Sequence, residues 1–221
     1  MMTEEQLKNM ASQLRKPTGE DGVKIAEMMS TANAHIIHDT LRALKAEAFD
    51  NILEIGMGNG FHVKNILESA NQIRYNGCDY STLMIEESRR INAEWISKGQ
   101  AKFKLANVSS LPFSDNEFNK VFTVNTVYFW ENEKDTLREI KRIMQPGGKL
   151  IIGFRPKHEM EKYPFTKYGF TLFSATDVEE LLRDNGFTIS SISKNQEPDF
   201  DLNGKTIQRE NVVVVAGMKN L

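Results

Sequence analysis

Glu54, Gly56, Gly58, Gly60 and Asp79 are the residues of this 221-residue chain whose types and spacing point most directly to chemistry. The glycines alternate in Ile52-Leu53-Glu54-Ile55-Gly56-Met57-Gly58-Asn59-Gly60, directly behind an apolar run. Such a run reads as a buried strand, and the glycines read as a tight turn whose backbone a ligand can approach closely. Asp79 stands 19 residues past Gly60, where a second strand would end. A carboxylate there can accept two hydrogen bonds from a ribose diol. Together these residues form the pattern of a nucleotide-type cofactor site at the carboxyl ends of strands.

The spacing narrows the cofactor. A dinucleotide fingerprint is G-x-G-x-x-G, and its third glycine allows close helix–strand packing. Here Phe61 stands in that slot, where its ring is expected to obstruct the packing, so a pyrophosphate is disfavoured. S-adenosylmethionine carries an adenosine without phosphate and an ammonium at its amino-acid end. Glu54 suits that ammonium. The plainer alternative is a capping acid beside an ordinary turn.

The surrounding pattern must position these residues. Residues 1–48 show helical periodicity only, with helices expected over 3–15, 20–30 and 33–48. From residue 50 short apolar strands alternate with helices. Strands are expected at Asn51–Ile55, Ile73–Cys78, Ala101–Leu105, Lys120–Val124, Lys149–Phe154, Phe187–Ser193 and Asn211–Gly217. Helices are expected over 61–70, 81–96 (Ser81 as N-cap), 132–144 and 176–185. A polar loop is expected over 194–210. This alternation predicts an α/β fold: a Rossmann-like, doubly wound seven-stranded sheet, mostly parallel with one antiparallel strand near an edge. The chain reads as one domain over 1–221, with 1–48 as a helical lead-in or lid and 49–221 as the core.

Four motifs occur in order: Glu54 to Gly60; Asp79-Tyr80-Ser81; Leu111-Pro112-Phe113-Ser114-Asp115-Asn116-Glu117-Phe118; and Leu137 to Lys149 with Pro146-Gly147-Gly148. The chain resembles the class I S-adenosylmethionine-dependent methyltransferases, in the small-molecule branch similar to methyltransferase type 11 and the ubiquinone/menaquinone-biosynthesis enzymes. The resemblance covers about residues 50–190. It implies that Gly56, Met57, Gly58 and Gly60 line the methionine part of the cofactor, and that Asp79 holds the ribose. Tyr80 and Met84 would pack on the adenine, although either serves equally as a core residue. Asn107-Val108 would reach the adenine edge. Many members have Asp at that position, and Asn107 also suits a simple turn cap. Asn125-Thr126 would face the methyl-transfer site, or merely end a strand. The product would be S-adenosylhomocysteine.

The acceptor is read from the remaining segments. Met29 and Asn33 in the lead-in, Tyr128 after the fourth strand, and Tyr163 and Tyr168 in the 155–173 segment are expected to wall a partly apolar small-molecule site. His35 and His38, three apart on one helix face, are the candidates for a general base, against a solvated or structural pair. His62 is expected nearer the cofactor. The oxygen, carbon or nitrogen character of the acceptor atom is open, and so is a monomer or a homodimer.

Bulk properties are consistent with this reading. Net charge is −2 with 40% apolar and 26% charged residues, which argues against nucleic acid as the main partner. The longest aliphatic run near the end, Val212 to Ala216, is too short to span a bilayer. The single cysteine, Cys78, and the lack of zinc-type spacing suggest a cytoplasmic protein without metal. The alternative from another class is a regulatory protein that binds S-adenosylmethionine without turnover.

Overall fold

Four segments, 51–55, 74–79, 118–124 and 149–154, are largely buried on both faces and form the centre of one sheet. Such runs are what a parallel sheet covered by helices requires. The computed structural model describes residues 2–202 and 205–218. In chain order these are α1 (Glu4–Arg15), α2 (Gly19–Ala32), α3 (Ala34–Leu44), β1 (Asn51–Ile55), α4 (Val63–Leu67), β2 (Arg74–Asp79), α5 (Thr82–Ile91), α6 (Ala93–Ser97) and β3 (Ala101–Leu105). Then follow β4 (Phe118–Val124), α7 (Glu133–Ile143), β5 (Met144–Phe154), α8 (Lys157–Met160), α9 (Ala175–Asp184), β6 (Phe187–Leu202) and β7 (Lys205–Met218). Among the described residues no helix is long and apolar enough to cross a membrane.

The seven strands lie in the order β3-β2-β1-β4-β5-β7-β6. β1 to β5 pair in parallel, whereas β7 runs antiparallel to both β5 and β6. The chain reverses direction between β1 and β4, so the carboxyl ends of these two strands flank the crevice where such sheets bind ligands. Alternate side chains build two cores. Leu53, Val121, Leu150, Ile152, Val212 and Val214 face one side with α7 and α9. Ile52, Phe122, Ile151 and Val213 face the other with Leu44 of α3 and Val63 and Ile66 of α4.

Two expected elements differ most. The helix expected over 81–96 breaks at Asn92, whose side-chain amide donates to the carbonyls of Gly60 and Ser88, both at 3.0 Å. Ser81 caps α5 as expected, accepting from the Met84 N–H. The 155–173 segment carries α8 and a short 3-10 turn over Pro164–Lys167. The polar loop expected over 194–210 is largely strand. β6 and β7 pair onward through Asn195–Asn211, Glu197–Arg209 and Leu202–Lys205. Its inner face is filled by paired charges instead of apolar side chains.

α1 and α2 form a roof over the carboxyl ends of the strands. A capping box starts α1, with Thr3 and Gln6 each satisfying the other's backbone N–H. The roof is tied to the sheet where the Ser81 hydroxyl donates to the Pro17 carbonyl at 2.5 Å.

Candidate functional site

The turn after β1 holds Gly56, Gly58 and Gly60 at φ +72°, +59° and +66°. A Cβ on Gly58 would meet no protein atom within 4 Å, because this stretch of backbone faces an open cavity. Gly60 is different. A Cβ there would lie 3.0 Å from Asn92 Nδ2 and 3.2 Å from the Ser88 Cβ. Gly60 therefore permits close packing on α5 and lies outside the cavity wall, which corrects its expected place beside the cofactor. It does the packing work expected of the next position. Phe61 is 66% exposed and obstructs nothing, so its presence does not discriminate between cofactors.

Asp79, at the end of β2, faces the same turn. Its carboxylate accepts from the Gly58 N–H at 3.1 Å and from the Ser81 N–H at 2.8 Å. Burial pushes its pKa up to about 6, against the lowering effect of the N–H groups of Ser81, Gly58 and Tyr80. The aspartate thus orients the glycine turn and the start of α5 while still facing the cavity.

Glu54 is 1% exposed and 8% of His62 is exposed. His62 Nε2 lies 2.8 Å from both carboxylate oxygens, and the Tyr75 hydroxyl donates to Oε2 at 2.5 Å. Burial lowers the tendency of His62 to protonate, but the Glu54 charge and hydrogen bond outweigh it and hold its pKa above the usual histidine value.

These groups border a cavity of about 980 Å³ under the α1–α2 roof. That is near the upper end of the range that encloses one drug-sized ligand, so there is room for two reactants side by side. One end is lined by Gly56, Met57, Gly58, Asp79, Tyr80 and Met84, with Asn107, Val108, Asn125 and Thr126 adjoining. Asn107 Oδ1 is already held by the N–H and hydroxyl of Ser109, both at 3.0 Å, so this residue caps its own turn as well as lining the wall.

The other end is apolar and aromatic. Met29, Asn33, Tyr128 and Tyr163 line it. Phe170 packs on Phe129, Phe165 and Tyr128 with ring centroids 4.6, 5.8 and 5.9 Å apart. The Tyr128 hydroxyl is committed to the scaffold: it accepts from the Arg155 N–H at 2.6 Å and donates to the Arg155 carbonyl at 2.8 Å. Tyr168 lies outside the wall, with Lys8 Nζ 5.5 Å from its ring centroid. His35 and His38 are exposed on α3 and do not line the cavity. The face they share points away from it, which removes both as base candidates.

One feature of the site was not visible in the sequence. Arg155 at the end of β5, with Glu197 and Arg209 on the hairpin, forms a buried cluster beside the acceptor end. Arg155 Nη2 donates to both Glu197 oxygens at 3.0 and 2.9 Å, and Arg209 Nη2 lies 3.1 Å from Oε2. Both arginines also reach the last turn of α2: Arg155 to Asn33 Oδ1 at 2.6 Å and to the Ala32 carbonyl at 3.1 Å, Arg209 to the same carbonyl at 3.2 Å. Two cations at a helix carboxyl end are attracted to the negative end of its dipole and clamp the roof to the sheet.

Residues 53–152 match a family described as a methyltransferase domain. An O-methyltransferase, resE, of Aspergillus sclerotiorum is 25% identical over 178 residues, covering 74% of this chain and 64% of that protein. The chain thus spans less than two thirds of the length of this relative. The methyltransferase GfsG of Streptomyces halstedii is 23% identical, covering 83% of this chain and 73% of that protein. A SAM-dependent methyltransferase from Aquifex aeolicus has the same fold, with a TM-score of 0.68 at 18% identity over 88% of this chain and 96% of that one. In its sheet order, its glycine turn and its relatives, the chain is similar to the class I S-adenosylmethionine-dependent methyltransferases, and its residues 53–152 match a methyltransferase domain.

Proposed function

We propose that this protein transfers a methyl group from S-adenosylmethionine to a partly apolar small molecule. The observation that carries the reading is the single cavity that joins the Gly58–Asp79 end to the aromatic end beneath the α1–α2 roof. The residues present fit the cofactor: the place of a Gly58 Cβ is open, and Asp79 faces it with a carboxylate suited to a diol. S-adenosylmethionine, when bound, supplies an activated methyl group on a sulfonium.

Each role follows from what the residue presents. Asp79 holds the ribose hydroxyls, and the backbone of Gly56 to Gly58 lies along the methionine portion. Met84 and Tyr80 flank the adenine, with Asn107 and Val108 at its edge. Asn125 and Thr126, at the end of β4, border the transfer position. Met29, Asn33 and Tyr163 wall the acceptor end, together with the ring of Tyr128. The work of these residues is to align the acceptor and exclude water, since a direct displacement gains chiefly from orientation. The relatives named O-methyltransferases favour an oxygen acceptor. Residues 1–48 act as lid and the rest as core of one domain.

The test is calorimetric titration with S-adenosylhomocysteine, followed by turnover against aromatic and aliphatic hydroxy compounds with detection of the methylated product. Absence of binding would remove the cofactor reading. Tight binding with no product across the panel would favour the regulatory alternative.

A further inference from the structure

We propose that His62 is a placeholder for the positive charge of the cofactor: as an imidazolium it balances Glu54 in the ligand-free protein, and it gives up its Nδ1 proton to solvent when Glu54 receives the ammonium of S-adenosylmethionine. This rests on the cofactor reading above and adds one positioning residue to that site.

The geometry fixes the hydrogen positions. A carboxylate only accepts, so His62 Nε2, at 2.8 Å from both Glu54 oxygens, carries a hydrogen. The Tyr75 hydroxyl brings a second donor to Oε2. Among the described residues no lysine or arginine is paired with Glu54. A carboxylate this deeply buried needs a compensating charge, and the imidazole ring is in place to provide it.

A second cation arriving at the same carboxylate would stand beside the first in a poorly solvated pocket. A lysine in the place of His62 would have to stay charged or move. A histidine can lose its charge near neutral pH. The neutral Nε2–H tautomer still donates to Glu54, so the carboxylate keeps its orientation while its charge is transferred to a new partner. The proton that leaves is on Nδ1. His62 also lines a second cavity of about 280 Å³ on the α3 side, bordered by the exposed Phe61.

The groups that face His62 agree with this exchange. Glu54 approaches from β1 and Tyr75 from β2. His38 and Arg42 of α3 border the smaller cavity, and α2 contributes only the Ser30 hydroxyl. On α3, Asp39 Oδ1 lies 3.6 Å from His38 Nδ1 and 3.5 Å from Arg42 Nη2 and offsets their charge. The charge of His62 is therefore set by Glu54 against burial, and burial favours the neutral ring once Glu54 has another partner. The Glu54 charge and hydrogen bond outweigh burial and hold the His62 pKa above the ordinary histidine value.

The experiment is a pH titration of the histidine ring signals by NMR on the full chain, with and without saturating S-adenosylhomocysteine. The chain has four histidines, and His62→Gln identifies the resonance that belongs to position 62. Calorimetry on the same samples establishes binding independently. The expected result is a midpoint for His62 at least one pH unit lower in the complex. Binding releases a proton between the two midpoints, so linkage requires the affinity to weaken about tenfold for each unit by which pH falls there and to strengthen as pH rises. Binding heat with an unchanged or raised His62 midpoint overturns the proposal. Absence of binding heat overturns the cofactor reading and this inference with it.

Discussion

Replacing Glu197 by glutamine tests the clamp that holds the roof over the cavity. The substitution preserves shape and removes one charge. In the native protein Glu197 has a side chain with 0% exposure, and it accepts from Arg155, from Arg209 and from Asn211 Nδ2 at 3.3 Å. Glu197→Gln leaves two guanidinium groups facing each other and turns an acceptor oxygen into a donor. Removing one partner of a buried ion pair costs about 3–5 kcal/mol, because the remaining charge is buried without compensation. In a chain of this size each kcal/mol lowers Tm by about 2–4 °C, so the expected fall is roughly 6–20 °C. The assays are urea and thermal unfolding, read beside limited proteolysis of residues 1–33. A second variant separates charge from clamp. Replacing Arg155, Glu197 and Arg209 together by Met, Leu and Met should restore most of the stability, yet leave α2 more open to protease, since Ala32 and Asn33 have lost their donors. If Glu197→Gln stays within about 1 kcal/mol of the native protein, the range of an exposed pair, the cluster is solvated and the reasoning fails.

Other outcomes follow from the cavity wall. Asp79 must be ionised to accept both hydroxyls of a diol, so affinity for S-adenosylhomocysteine should fall as pH drops through about 6. The effect on ligand-free stability has the opposite sign: the raised pKa adds stability that is complete below about 3.8 and is lost as pH rises through about 6. Asp79→Asn, which keeps the shape, should weaken binding tenfold or more at pH 8 and erase the slope below pH 6; an unchanged affinity by calorimetry would refute the ribose assignment. Gly58→Val strains a residue at φ +59° and fills the open side of the turn, so it should abolish binding while cooperative unfolding persists at a cost of about 1–3 kcal/mol. A variant that binds like the native protein would take the turn out of the site. Gly153→Ala places a Cβ 2.1 Å from Thr40 Oγ1, where α3 crosses β5. It should lower the urea midpoint clearly, and an unaffected midpoint would mean that α3 moves freely on the sheet.

The cofactor end of the site was legible in the sequence because its signals are local. Three glycines and an acid stand within seven residues, and a second acid follows one helix later, so spacing alone brings them to one crevice. β1 and β3 were read with the bounds they have, since apolar runs between turn residues leave little choice. The break at Asn92 was not legible: two tertiary hydrogen bonds from its amide interrupt an otherwise helical period. A dinucleotide template puts the third-glycine slot at Phe61, whereas in this turn the close packing is done by Gly60 and Phe61 faces outward. The hairpin was hidden by its composition. Its inward residues at 197, 209 and 211 are charged or polar, so the apolar alternation that marks a half-buried strand is missing there. An Asn-Gly pair at 203–204 in the sequence is the one local hairpin signal. The clamp itself draws on four segments spread over 177 residues, and no local pattern can foretell such a meeting.

That separation has a consequence for how the molecule is made. A ribosome adds about 5–20 residues per second, so the Ala32 carbonyl waits roughly 10–35 seconds for Arg209 to be synthesised. In that interval the glycine turn, Asp79 and the β4 end all emerge and can assemble. The Ser81–Pro17 hydrogen bond can form early, but the carboxyl end of α2 has no arginine pair to hold it. The part of the pocket that is synthesised first is therefore completed last, and a nascent chain stalled before residue 197 would carry the cofactor end under a roof fastened at one end only.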